Sequence, residues 1–322
     1  MMYWVALLVP LLIVVAAVVF AIARRQPVVR LAGDAATAAS VTAVGRRSSL
    51  RLRLVLVTTP AIVGALAAIV VASFGQADSV DGPLGRTTFL LITPALVGTV
   101  AAILLGYVPV FGESPTAREA DLSRRNIGSY AGRRALTAFL VLGILLIAAV
   151  LTFGLLAAPH SNSLYYFYDR GLAGGGGIFP GFGYGVPILV AFVVSGLAAG
   201  LALSRIARAP RPTNPALQAA DDALRRLTSE TVLAISSFTA ALSLAIILLM
   251  AGYAFWDVAR VGLDLNGTPV PVNGTAQFLA TTSRAVVGAG VGFVVLAIYF
   301  LVRAVSSAMQ RPFKFDTKGR AL

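Results

Sequence analysis

Apolar residues come along this chain in long blocks, with the polar residues gathered between them. Seven blocks are long enough to cross a hydrocarbon core of about 30 Å, which takes about 20 helical residues. They lie near 2–23, 54–74, 88–111, 135–157, 186–206, 231–255 and 285–303. No Asp, Glu, Lys, Arg or His stands in the middle of any of them. The pattern predicts an all-α polytopic transmembrane bundle of seven spans, forming a single domain over 1–322.

The polar gaps alternate in charge. Segments 24–53, 112–134, 205–230 and the tail from Arg303 hold 22 of the 26 Lys and Arg residues. The other four, Arg86, Arg170, Arg260 and Arg284, fall in or beside the alternate loops. Basic residues accumulate on the cytoplasmic side of a membrane. The expected orientation is therefore N-terminus outside and C-terminus cytoplasmic. Counting acidic residues, the inner segments carry +14 and the outer ones −1. The first block reads as an uncleaved anchor. No positive charge precedes it, Arg24 and Arg25 follow it, and it is longer than a signal-peptide core.

Composition fits this class. The chain is 58% hydrophobic and 12% charged, with mean hydropathy +0.86, against about half and about a quarter in soluble domains. Its formal net charge of +13 would suggest nucleic acid in a soluble protein. Here the basic clusters hug the span ends, so no nucleic-acid partner is expected. The expected partners are anionic lipid headgroups at the cytoplasmic face and a protein at the cytoplasmic loops.

Candidate chemistry is sparse. With no cysteine, there are no disulfides, thiolate metal sites or cysteine nucleophiles. His160 is the sole histidine, whereas a metal site needs several ligands. Ser195 in "VVSGLAAG" has no ionisable partner in any span, and a serine nucleophile needs a base. The last span has no lysine for a retinal Schiff base. An enzyme, a cofactor and a metal are therefore not expected.

Two spans echo each other: "TPAIVGALAAI" from Thr59 and "TPALVGTVAAI" from Thr93. Duplication and convergence on small residues both account for this. Gly64 with Ala68, Gly98 with Ala102, Gly196 with Gly200 and Gly288 with Gly292 are small-xxx-small pairs that favour close helix approach. Pro60 and Pro94 each remove a helical donor. Broken helices at matching positions can mark a transporter site, so Thr59, Pro60, Thr93 and Pro94 are candidate contacts for an apolar or lipid-like substrate.

"RPTNPALQAADDALRRLTSE" reads as a short amphipathic helix, capped by Thr213 or Asn214, with Pro215 in its first turn. It either docks a cytoplasmic partner through Leu217, Leu224, Arg225 and Arg226, or simply extends the sixth span along the interface. A second short helix is predicted at Thr116–Glu119, a capping box.

The stretch "LYYFYDRGLAGGGGIFPGFGYGVP" falls outside. It lacks the strand-turn-helix setting and Lys-Ser/Thr ending of a phosphate loop. Its aromatics suit the headgroup level and predict an extracellular cap. Tyr165, Tyr166, Tyr168, Phe182 and Tyr184 are its candidate lipid or ligand contacts. In "VGLDLNGTPVPV", Asn266-Gly267 between alternating apolar residues predicts a small β-hairpin in the same cap.

The pieces "FPGFGYGVP" and "RPTNPALQAADDALRRLTSE", with the Arg-rich, Lys-poor usage, resemble a group of uncharacterised multi-pass membrane proteins of actinobacteria. The resemblance implies an inner-membrane location and brings no activity with it. Two functional expectations result. One is a non-enzymatic membrane component: an accessory, scaffold or sensor protein. The other is a transporter or permease subunit for an apolar or lipid-like substrate. A cavity lined by Thr58, Thr59, Thr93 and Thr99 would favour the second, and a tightly packed bundle the first.

Overall fold

The computed structural model describes residues 27–31, 54–55, 86–107, 128, 130–159, 164–165, 172–173, 179–209, 215–258, 263–264, 274–309 and 311–315. Five helices dominate them: α1 (Arg86–Gly106), α2 (Arg133–Leu156), α3 (Phe182–Arg208), α4 (Pro215–Val258) and α5 (Gly274–Met309). Four of these, α2 to α5, are long and apolar enough to cross a membrane, and α1 holds a shorter apolar stretch at Leu91–Gly106. They match the predicted spans from 88–111 onward. The predicted spans 2–23 and 54–74 lie outside the described residues, apart from helical Leu54 and Val55. So do the capping box at Thr116 and the first copy of the echo.

Helices successive in the chain alternate in direction. Gly143 faces Phe192 and Gly154 faces Phe182, so α2 and α3 are antiparallel. Gly98 meets Ser195 while Gly106 meets Ala202, so α1 and α3 run parallel. Gly252 meets Val287 and Gly290 meets Leu249, so α4 and α5 are antiparallel.

Helix α4 is 44 residues long because the amphipathic segment and the sixth apolar block join without a break. Pro215 begins it, where a missing backbone donor costs nothing. Between them stands "LRRLTSETVLA", with neither Gly nor Pro to stop the helix. At about 1.5 Å per residue the helix is about 66 Å long, twice the thickness of a hydrocarbon core.

The core has two parts. One is rich in aromatics: Phe153, Phe179 and Phe255 form a triangle with centroids 5.9–6.2 Å apart, with Tyr184 and Leu164 buried in the same cluster. The other is rich in alanine, with Ala101, Ala102, Ala198, Ala199, Ala202 and Ala304 among its members, joined by Val55. Small side chains bring the helices closer there. A methyl group on Gly106 would lie 3.0 Å from the Ala202 Cα.

Two small sheets join segments distant in sequence. β1 (Pro27–Leu31) pairs in parallel with β4 (Arg311–Phe315), Pro27 opposite Arg311 and Leu31 opposite Phe315. Both strands pack against α4. β2 (Leu172–Ala173) pairs antiparallel with β3 (Leu263–Asp264). The expected hairpin within 261–272 has its second arm outside the described residues. The first arm of "VGLDLNGTPVPV" forms its ladder with the glycine-rich loop, while 265–273 lie outside the described residues. A backbone ladder offers its donors to whichever strand lies alongside, and here another loop supplies it.

The small-residue expectation holds at Gly98 and Ala102 and needs correction elsewhere. Gly200, Gly288 and Gly292 have nothing within 4 Å of where a methyl group would stand, and Gly196 has an ordinary 3.7 Å contact with Phe139. The close approaches in the later helices fall at Gly185, Gly252 and Gly290. Spacing identifies a smooth helix face, but not the side on which its neighbour lies.

Candidate functional site

The polar chemistry of the described residues is concentrated on α4. Asp221, Arg225, Thr228, Ser229, Thr231, Ser236, Ser237, Thr239 and Ser243 are all at most 2% exposed. Its lower half carries an ionic knot. Arg225 Nε donates to Asp221 Oδ2 at 2.7 Å, with both side chains fully buried. Arg225 Nη1 donates to the carbonyl oxygen of Ile206, near the end of α3, at 2.6 Å. The guanidinium carbon is 5.7 Å from the centroid of the Tyr130 ring. The Tyr130 hydroxyl in turn donates to Asp222 Oδ1 at 3.3 Å.

Each bond follows from local sequence. Asp221 and Arg225 are one helical turn apart and so share a face. Ile206 lies in the last turn of α3, where carbonyls lack intrahelical donors. A guanidinium placed there satisfies one and meets the negative end of the helix dipole. The knot joins α3, α4 and the segment just before α2. A buried ion pair of this kind adds little net stability, but removing one partner costs several kcal/mol, about 3–5. Chemically it is a lock between helices rather than a proton-transfer site.

Higher in α4 the hydroxyls turn inward on their own helix. Thr228 donates to Leu224 O, Thr231 to Leu227 O, Ser236 to Val232 O and Thr239 to Ser236 O, at 2.8–3.0 Å. Such bonds satisfy the hydroxyl without any partner helix. Opposite them, Ser195 of α3 is 1% exposed, and its Oγ has no hydrogen-bond partner among the described residues. Thr88 Oγ1 in α1 is in the same state. α1, α3 and α4 meet at this level. A methyl group on Gly98 would lie 2.9 Å from both Ser195 Oγ and Thr239 Cγ2.

The sequence-derived candidates are scattered through this frame. Thr93 and Pro94 lie in α1, Pro94 buried and Thr93 half-buried. Tyr184 is buried in the aromatic part of the core, Phe182 rests its ring over Gly154, and Tyr165 is 49% exposed. The aromatic stretch thus sends Phe179 and Tyr184 inward rather than laying all its rings at an interface. Leu224 and Arg225 are buried and Arg226 is exposed; the Leu217 side chain, Thr59, Pro60, Tyr166 and Tyr168 lie outside the described residues.

Sequence reasoning missed the ionic knot. It read Arg225 as a candidate partner-docking residue, together with Leu217, Leu224 and Arg226. The Asp-x-x-x-Arg spacing was the available signal, since it places both groups on one helix face.

At the same end of the bundle Arg133, Arg134, Arg205, Arg208 and Arg226 are exposed. Arg205 stacks over Tyr107, its guanidinium carbon 4.3 Å from the ring centroid. At the other end Arg284 lies 5.9 Å over Trp256. Among the described residues no group of three His, Asp or Glu is placed to hold a metal ion. No protein-family model, curated protein or solved structure matches the chain. The apolar helices make this an apparent membrane-embedded bundle, compatible with a transmembrane protein.

Proposed function

We propose that the chain is a non-enzymatic component of a bacterial plasma membrane, acting as an accessory, scaffold or sensor protein. It crosses seven times, with its N-terminus outside and its arginine-rich end in the cytoplasm. The observation that carries this reading is the contact of Gly98 with Ser195 and Thr239. Three helices touch at mid-bundle, and the α4 hydroxyls facing that level are spent on their own helix. The exposed arginines at one end suit anionic headgroups, each contributing on the order of 1 kcal/mol near the surface. The resemblance to actinobacterial multi-pass proteins belongs to this same reading.

One observation favours a second reading, a transporter or permease subunit for an apolar or lipid-like substrate. Among the described residues, Ser195 and Thr88 are buried hydroxyls without partners, and α1 contains Pro94. A seam with spare hydroxyls and an interrupted helix ladder can open at low cost.

Purification of the tagged protein from native membranes in mild detergent, with crosslinking and mass spectrometry, separates the two. An envelope or respiratory complex held through the arginine-rich end supports the first reading. An ATPase crosslinked to 205–230 replaces it with the second. Orientation is read separately by membrane-impermeant thiol labelling of Arg226→Cys and Gln277→Cys in intact cells. Labelling of position 277 alone is expected, and labelling of 226 alone reverses the topology.

A further inference from the structure

We propose that the outward stripe of α3, with the stacked pair Arg205 and Tyr107 at its end, is a binding site for one anionic phospholipid. Val190, Val194, Leu197 and Leu201 are 47–65% exposed. Their spacing of four and three residues sets them in line on one helix face. The line runs for about 16 Å at about 1.5 Å per residue. One leaflet's share of a hydrocarbon core about 30 Å thick is about 15 Å, so the stripe matches one acyl chain in length. Continuing it at the same spacing, Arg205 and Arg208 stand exposed in the last turn of α3.

The end of the stripe is built for a phosphate. The guanidinium carbon of Arg205 lies 4.3 Å from the centroid of the Tyr107 ring, and Tyr107 is 65% exposed. Stacking occupies the face of the guanidinium and leaves its N–H edges free to fork onto two phosphate oxygens. Among the described residues no carboxylate pairs with Arg205 or Arg208. Arg133, Arg134 and Arg226 are exposed at the same end and repel the ammonium of a zwitterionic headgroup. The charge pattern therefore selects a lipid of net negative charge. The level is that of a headgroup. Arg205 adjoins Ile206, whose carbonyl oxygen holds Arg225 of α4. Toward the far end of α4, Trp256 carries a second exposed arginine, Arg284. Arg225 and Trp256 are about 46 Å apart along the helix, close to the roughly 40–45 Å of a bilayer with both headgroup layers. The inference rests on the reading of the bundle as membrane-embedded, and holds whichever end faces the cytoplasm.

Full-length protein in mild detergent, titrated with phosphatidylglycerol and followed by native mass spectrometry, tests it. One tightly held lipid is expected. Arg205→Ala with Arg208→Ala should weaken its binding about tenfold, as for the loss of a charged hydrogen-bonded pair. Tyr107→Leu, which removes the stack, should weaken it about threefold. Arg205→Lys keeps the charge but not the planar fork, and should fall between the parent and the double variant. Arg133→Ala with Arg134→Ala removes equal charge at the same end, where no ring among the described residues holds it, and should change binding less than about twofold. Equal losses from the two arginine doubles would overturn the proposal and leave only the general charge of this end. Phosphatidylcholine held as tightly as phosphatidylglycerol would also overturn it, as would displacement of the lipid by inorganic phosphate, which would give the site to a free anion. Alkaline carbonate washing of native membranes checks the membrane reading separately, because an embedded chain stays in the pellet whether or not Arg205 holds a lipid.

Discussion

Helices α4 and α5 are adjacent, antiparallel and nearly equal in apolar character, yet 72% of the apolar window of α4 is buried inside the chain and 17% of that of α5. Hydropathy therefore does not tell the inside of a membrane bundle from its outside. The polar residues do. The buried surface of α4 carries seven serines and threonines, four of them bonded within α4 itself, and an ion pair that is costly to place against lipid and reaches the end of α3. The outward surface of α5 carries no such polar run: Val291, Val295 and Tyr299 stand exposed on it beside glycine and alanine. One helix organises its neighbours, and the other leans on the first.

The sharpest way to break the contrast is to remove the lock on α4. Arg225→Ala leaves Asp221 buried without its partner and is expected to cost about 3–5 kcal/mol. A large drop in the thermal midpoint, followed by circular dichroism in detergent, would show it. The double change Asp221→Leu with Arg225→Met should recover most of that loss, because two apolar residues of similar volume need no compensation. Failure to recover would mean the knot holds the α3 end in a way packing alone does not replace. Arg225→Lys should fall between, since an ammonium reaches Asp221 or the Ile206 carbonyl but lacks the planar fork that serves both.

Next in size is the three-helix contact. Gly98→Val pushes against the Ser195 and Thr239 side chains, which already leave no room for a methyl group, with an expected cost of about 1–3 kcal/mol. The matching change Gly200→Ala, on an open face, should bring no loss. Equal losses at the two positions would mean α1, α3 and α4 do not meet at Gly98.

The smallest effect expected is at Ser195. Its hydroxyl is buried without a partner, so Ser195→Ala should be neutral or stabilising by up to about 1 kcal/mol. A clear destabilisation would reveal a partner for that hydroxyl and weaken the transporter reading, which rests on its being spare. Ser236→Ala, which removes a bond internal to α4, should be within about 0.5 kcal/mol of the parent.

The apolar blocks by themselves determined that α2, α3, α4 and α5 exist and where α2 and α3 begin to within a few residues, whereas α4 and α5 begin well before their blocks, at Pro215 and Gly274. Block length and the absence of charge are local properties, and a helix satisfies its backbone within itself. Pro215 and the unbroken run beyond it likewise allowed α4 to extend through the interface. What tertiary structure decided is which face of each helix meets another. Gly98 and Gly288 carry the same small-residue signature, and one is wedged between Ser195 and Thr239 while the other stands open. Arg225 looked like a partner-docking residue until the end of α3 was laid beside it. Leu263 gave no sign in the sequence that Ala173 would pair with it. In each case the deciding contact comes from a segment far away in sequence. A spacing rule describes one element's surface and carries no information about its neighbour, so only the assembled bundle could make the choice.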